Sequence, residues 1–282
     1  MIRGDNHLVL DNMRDDFPDL VQWVHDHGRP SKPAGKLAYE LRSVNLTLLD
    51  PLDALPIGTG AKVNEPLAAV ESLQLISGCN NDALVHRIDP DAFSFPVGGR
   101  IYSQLHGVAQ TLQQDGQSRQ ALATVWDPMY DSSGSQRPCT LSFQFFWRDD
   151  KLELHVNSRS ADVLQLVELN LFPATQFHIS MARFLGTNVG SFEYHVGSLH
   201  LQASDIGILD HLHNTTELVR PADIPLGFGD GSEQLWEEVA DRARFVLDVG
   251  AGRIVDGVNP NAFSDTEKWY LNQLRPFWVS GG

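Results

Sequence analysis

The spacing of apolar residues changes several times along the chain, and each change predicts an element. Within 16–26, Phe17, Leu20, Val21 and Val24 recur at helical spacing and predict one amphipathic helix. A second helix is predicted over 66–76, with Pro66 suited to a first turn, where a missing N–H costs nothing. A third runs over 102–114 and stops near Asp115-Gly116. Leu41, Val44, Leu46 and Leu48 give 41–49 a roughly strand-like pattern, and 121–126, 141–147 and 152–157 also read as strands. The turn between the last two is Arg148-Asp149-Asp150-Lys151. A long buried helix is predicted over 170–184 and a strand over 190–200. Asp230 and Glu233 have capping-box spacing ahead of a helix that runs to about residue 246. Residues 28–36, with Arg29, Lys32 and Lys36, form a basic loop by composition. Strands clustered between helices predict the α+β class, and one domain over 1–282 is the simplest organisation.

Composition narrows the functions open to such a fold. With 282 residues and 42% hydrophobic content the chain can bury a large core. No apolar run reaches the ~18 residues of a membrane span, and the first residues lack the apolar stretch of a signal peptide. The formal net charge of −15 disfavours a nucleic-acid polymer as partner, because polymer binding needs a basic face. A small anion needs only a few arginines and remains open. Two distant cysteines, Cys79 and Cys139, offer neither a disulfide framework nor a zinc motif, so a reducing, cytoplasmic setting and no metal are expected.

The candidate chemistry sits beside the paired strands. Arg137-Pro138-Cys139 precedes one, and Ser158-Arg159-Ser160 with Asp162 follows the other. A thiol, a guanidinium and a carboxyl are thereby set on adjacent strands, which suits covalent attack on an anionic substrate. A free thiol has a pKa of about 8.5 and needs positive neighbours to become the attacking thiolate. Other signals are weaker. Residues 58–62 (Gly-Thr-Gly-Ala-Lys) lack full phosphate-loop spacing. His25 and His27 are two apart on a helix and point away from each other. Asp210 to His213 reads as an exposed turn, and Cys79 as structural.

Five separated segments resemble the thymidylate synthase family in the right order. They are Val70-Glu71-Ser72-Leu73-Gln74-Leu75-Ile76-Ser77-Gly78, Gly99-Arg100-Ile101-Tyr102, Asp115-Gly116-Gln117-Ser118-Arg119-Gln120, the block from Pro138-Cys139 to Asn170, and Tyr194-His195-Val196-Gly197-Ser198-Leu199-His200-Leu201. The resemblance implies a central mixed sheet with packed helices and a homodimer formed through the sheet. It implies transfer of a one-carbon unit from 5,10-methylenetetrahydrofolate to carbon 5 of a pyrimidine nucleoside monophosphate. In that chemistry a thiolate adds to carbon 6 and makes carbon 5 nucleophilic. Cys139 is then the nucleophile, Glu71 manages protons at the base oxygen through water, and Tyr102 helps remove the carbon 5 proton. Arg29, Arg159 and, from the partner subunit, Arg119 bind the substrate phosphate, and Ser160 also binds the substrate. Asn170 reads the base, His200 contacts the ribose, and Asp162 holds the pterin.

The departures bear on the product. Thr140 follows the nucleophile where the family usually has His; Gln120 and Gln202 replace an Arg and a Tyr; Val167-Glu168-Leu169-Asn170 replaces Leu-Pro-Phe-Asn. No Trp lies between Trp23 and Trp126, so the tryptophan these enzymes place near the folate is missing. Its loss admits water to the methylene intermediate and favours a hydroxymethyl product. Segment 196–200 leans the same way, towards the hydroxymethylase branch. An Asn amide both donates and accepts, which suits the O4/N3–H face of uracil. Hydroxymethylation of a uracil nucleotide is therefore the favoured expectation. Methylation of dUMP, hydroxymethylation of dCMP or CMP, and a nucleotide-binding homologue without turnover are the alternatives.

Overall fold

The computed structural model describes residues 2–277 apart from residues 5, 55–62, 93–94, 135, 213–226 and 255. In chain order its elements are β1 (Ile2–Gly4), β2 (His7–Leu10), α1 (Met13–His27), β3 (Arg29–Ser31), β4 (Ala38–Leu48), α2 (Glu65–Ser77), α3 (Asp82–Ile88), α4 (Val97–Gln114), β5 (Leu122–Thr124), α5 (Pro128–Asp131), β6 (Thr140–Arg148), β7 (Lys151–Ser158), β8 (Ala161–Asp162), α6 (Phe172–Phe184), β9 (Asn188–Gln202), α7 (Leu209–Leu212), α8 (Trp236–Gly250) and α9 (Asp265–Leu274). The described strands form one mixed sheet in the order β1-β2-β4-β9-β7-β6-β5, with β3 paired to β4 and β8 to β9. β2–β4, β7–β9 and β8–β9 are parallel, and the remaining pairs are antiparallel. The expected class, α+β with a central mixed sheet and packed helices, is what the chain adopts.

Period-two patterning sets the two faces. On β7, Leu152, Leu154 and Val156 are buried while Glu153, His155 and Asn157 are half-exposed. The β6–β7 hairpin closes through Asp149 and Asp150, both at positive φ (49° and 58°). Two left-handed residues give the turn a twist that matches its strands, and Asp tolerates that region. The core side is filled by α2 and α6. Phe177 on α6 meets Phe143, Phe145 and Trp236 edge-on at 5.6–5.7 Å between ring centroids. Truncating such a fully buried ring typically costs about 3–5 kcal/mol. Every residue of α2 from Leu67 to Ser77 is buried except Glu71. Helix α2 ends at Gly78, whose φ of +69° is the usual left-handed stop.

Several boundaries differ from the sequence expectation. Arg29 lies on a short strand, because Arg29 and Pro30 pair antiparallel with Glu40 and Tyr39. The proline is tolerated there because β3 lies off the main strand path and pairs only with β4. The helix expected from 102 begins at Val97, directly after Pro96. The helix expected from 170 begins at Phe172, after a π-helical segment, Val167–Leu171. Pro173 has no N–H to continue a hydrogen-bond ladder from that segment. Glu233 accepts from the Asp230 backbone N–H and closes a turn, so α8 starts only at Trp236. α9 was not anticipated, although Ser264 and Glu267 form a full capping box at its start. The 58–62 segment and His213 lie outside the described residues.

Candidate active site

Cys139 immediately precedes β6, and its loop is fastened to the end of β7. The Arg159 backbone N–H donates to the Cys139 carbonyl at 2.8 Å. Its guanidinium donates from Nε to Pro138 O (2.9 Å) and from Nη2 to Arg137 O (3.1 Å). The Ser158 hydroxyl donates to the carbonyls of Cys139 (2.9 Å) and Ser160 (3.1 Å). One arginine thus braces the three-residue loop and brings its charge beside the thiol. β9 approaches so closely that a Cβ at Gly197 would lie 2.8 Å from the Arg159 carbonyl, so that position requires glycine. The thiol is half-buried. Burial pushes its pKa above the ordinary thiol value, and the Arg159 charge pulls in the opposite direction without overturning the rise.

Cys139 opens onto a cavity of ≈ 270 Å³. Six residues expected from the sequence line it together: Glu71, Cys139, Ser160, Asp162, Asn170 and His200. Each reaches it from a different support. Glu71 projects from the buried helix α2, Asn170 from the π-helical segment, and Asp162 and His200 from the neighbouring strands β8 and β9. π-helical turns are frequent at functional sites, and this one places Asn170 at the cavity wall. Burial pushes the Asp162 carboxyl up; the Leu164 N–H, which donates at 3.0 Å, and His200, with Nε2 at 4.0 Å, work against that.

Three expected residues lie elsewhere. Arg29 lines a separate cleft with Trp23, His27, Glu40 and Arg42. Arg119 is exposed on the loop between α4 and β5. That loop is held by Arg148, which donates to Gly116 O and Gln117 O at 3.0 Å each, and by Gln144, which donates to Arg119 O at 3.0 Å. Tyr102 packs at the end of α2, where a Cβ on Gly78 would meet its ring and Arg244 lies 5.9 Å from its centroid. It does not line the Cys139 cavity.

Sequence reasoning also passed over residues that the structure brings in. Phe95, Val97, Gln165 and Leu169 line the cavity. Glu168 is buried, its Oε2 has no hydrogen-bond partner among the described residues, and burial, with lesser contributions from Asp162 and Asp89, pushes its pKa up to about 7. A lone acid in the apolar run Leu166-Val167-Glu168-Leu169 was the available signal. Among the described residues no group of three or more His, Cys, Asp or Glu is placed to hold a metal ion.

A sequence model described as thymidylate synthase matches residues 66–223, more than half of the chain. The chain belongs to the thymidylate synthase family. The matched stretch of this family member contains every residue lining the Cys139 cavity, whereas Arg29 falls outside it. A deoxyuridylate hydroxymethyltransferase from Bacillus phage SP01 is 28% identical over 219 residues, covering 68% of this chain. The chain spans 57% of that curated relative's length.

Proposed function

We propose that this family member transfers a one-carbon unit to carbon 5 of a pyrimidine nucleoside monophosphate, and that its product is a hydroxymethylated uracil nucleotide. The observation that carries the proposal is one cavity in which Cys139 faces Glu71 and Asn170, with Asp162 and His200 at its wall. Cys139 adds to carbon 6 of the base, and the ring becomes an enolate that is nucleophilic at carbon 5. Because burial holds the thiol protonated, the Arg159 charge must favour the thiolate as the sulfur–carbon bond forms. Glu71 is the half-exposed acid on an otherwise buried stretch of helix, and it moves protons at the base oxygen. Asn170 offers a donor and an acceptor to the O4/N3–H edge of uracil. In this reading His200 contacts the ribose, and Ser160 and Arg159 bind the phosphate.

In this reading 5,10-methylenetetrahydrofolate supplies the one-carbon unit when bound, and Asp162 is the residue that would hold it. Asp162 presents a carboxyl from a mostly buried wall, suited to the N–H groups of a pterin, and Gln165 stands beside it. Arg119 is exposed and does not line its own cavity, as suits a residue that completes the phosphate site of a second copy. The outer sheet face carries Phe146, His155 and His195 in ring contact at 4.8 and 5.8 Å, and it is the surface proposed for the homodimer. No helix among the described residues is long and apolar enough to cross a membrane. Two free thiols suit a reducing compartment, and the proposed location is the cytoplasm.

The hydroxymethyl product and the uracil base rest on the missing tryptophan, on Asn170 and on the similarity to a phage protein named for that reaction on deoxyuridylate. The test is to incubate the protein with each uridine and cytidine monophosphate, ribo and deoxy, and methylenetetrahydrofolate, and to weigh the products. A hydroxymethylated uracil nucleotide formed with tetrahydrofolate supports the proposal. Dihydrofolate formed in step with nucleotide consumption identifies methylation instead, and a modified cytosine overturns the base assignment.

A further inference from the structure

Behind the Cys139 cavity lies a smaller chamber with a cavity volume of ≈ 30 Å³. The two share Glu71, Thr140, Asn170 and three apolar neighbours, so the chamber is an inward extension of the cavity. Its far wall includes Tyr194 on β9 and Gln74 on α2. Tyr194 is 1% exposed, and its hydroxyl has no hydrogen-bond partner among the described residues. A buried hydroxyl left without a partner is costly, and native structures nearly always satisfy it. A chamber of this size has room for one or two waters, which need ~10–15 Å³ each and two to four polar partners. Tyr194, Gln74, Thr140, Asn170 and Glu71 supply them.

We propose that this chamber is a built water site, anchored by the Tyr194 hydroxyl, and that Tyr194 is a positioning residue for the proton path between Glu71 and the base. The role rests on the function proposed above; the water site itself does not. Burial, with a lesser contribution from Cys139, raises the Tyr194 phenol well above its ordinary range, and the nearby Ser158 hydroxyl, though not in hydrogen-bond geometry with it, pulls the other way. The phenol is therefore a donor and not a base. It donates its hydrogen to the water. With a proton on Glu71, its carboxyl donates to the water and the water donates to the base oxygen. The carboxyl proton passes to the water as the water's own proton passes to the base, and the reverse shift returns it, so no group is consumed. Tyr102, outside the cavity, cannot reach this path, whereas Tyr194 stands at its inner end.

Tyr194→Phe removes the hydroxyl and keeps the ring. The expected result is a Tm equal to or below that of the unaltered protein, because a satisfied hydroxyl is lost and its water left short of a partner. A raised Tm would show that the hydroxyl was an orphan and would overturn the water site. In turnover, kcat should fall about 10- to 100-fold, less than most of the ~10²–10⁴-fold that a proton-transferring group itself contributes, because Tyr194 positions the path and does not carry the proton. KM for the nucleotide and the yield of covalent adduct with a 5-fluoropyrimidine nucleotide should stay unchanged. An unchanged kcat overturns the positioning role. If the unaltered protein forms no adduct, the proposed function fails, and the Tm comparison still decides the water site. A high-resolution crystal structure of the unaltered protein decides it even if Tyr194→Phe does not fold. Water density within hydrogen-bond distance of Tyr194 Oη is expected there, and a dry chamber contradicts the proposal.

Discussion

Cys79 and Cys139 are both half-buried and both stand beside an arginine, yet the structure equips them differently. Arg244 donates from Nε directly to Cys79 Sγ at 3.0 Å. Arg159 directs Nε and Nη2 to loop carbonyls and acts on Cys139 through its charge alone. Judged by the thiol–arginine contact alone, Cys79 is the more closely paired of the two. It follows the Gly78 cap of α2, however, in a packed corner where Arg244 also donates to Ser77 O at 2.9 Å and covers Tyr102. Cys139 faces a cavity that also holds a carboxylate, an amide and an imidazole. A reactive thiol needs room for an electrophile and groups that manage the protons of the adduct; a cationic neighbour alone stabilises structure.

The strongest way to break this comparison is to remove each thiol. Cys139→Ser should lower turnover by at least about three orders of magnitude while the protein still folds, because a hydroxyl cannot supply the attacking anion at neutral pH. Cys79→Ser should keep kcat within a few-fold. Comparable losses in steady-state assays of the two variants would erase the distinction.

A second effect belongs to the Cys139 side alone. Glu168 is held protonated in the fold, with a pKa raised from 4.5 to about 7. A carboxyl whose folded pKa is raised gives stability that is present below the unfolded value and lost as pH rises through the folded one. Unfolding free energy should therefore fall between about pH 4.5 and pH 7, by at most about 3 kcal/mol, and level off above that window. Glu168→Gln should flatten the dependence in denaturant titrations across it. A wild-type slope that survives the substitution would assign the effect to another group.

Arg159→Ala should weaken binding of a nucleoside monophosphate by about one to two orders of magnitude, from the ~1.5–3 kcal/mol of a charge-assisted bond, and leave nucleoside binding little changed. Equal losses for both ligands in calorimetry would point to loop support alone. The smallest effect is expected at the other cysteine. Arg244→Ala should lower stability by about 1 kcal/mol, with nucleotide affinity unchanged.

The fold was legible where periodicity was strong. β6, β7 and their Asp149-Asp150 turn follow from alternation and turn chemistry, and α2 from its apolar run. The segments that line the cavity were legible as a set, because Glu71, Cys139, Ser160, Asp162, Asn170 and His200 kept family order and converge. What stayed hidden depended on contacts distant in sequence. The strand at Arg29 exists through pairing with Glu40 and Tyr39, which local composition cannot show. Tyr102 fits the family segment by residue type, but its direction is set by packing against Gly78 and Arg244. Tyr194 reads as one more alternating core residue, and only the chamber beside its hydroxyl distinguishes it.

The central claim is that Cys139, and not Cys79, attacks a pyrimidine nucleotide. Incubation with a 5-fluoropyrimidine nucleoside monophosphate and methylenetetrahydrofolate, followed by intact-mass measurement and peptide mapping, tests it most directly, because fluorine at carbon 5 cannot leave as a proton does and the adduct persists. One nucleotide-plus-folate adduct per chain, mapped to the peptide containing Cys139 and absent from Cys139→Ser, is the predicted result. An adduct on Cys79, or none on a folded protein that binds the nucleotide, would contradict it.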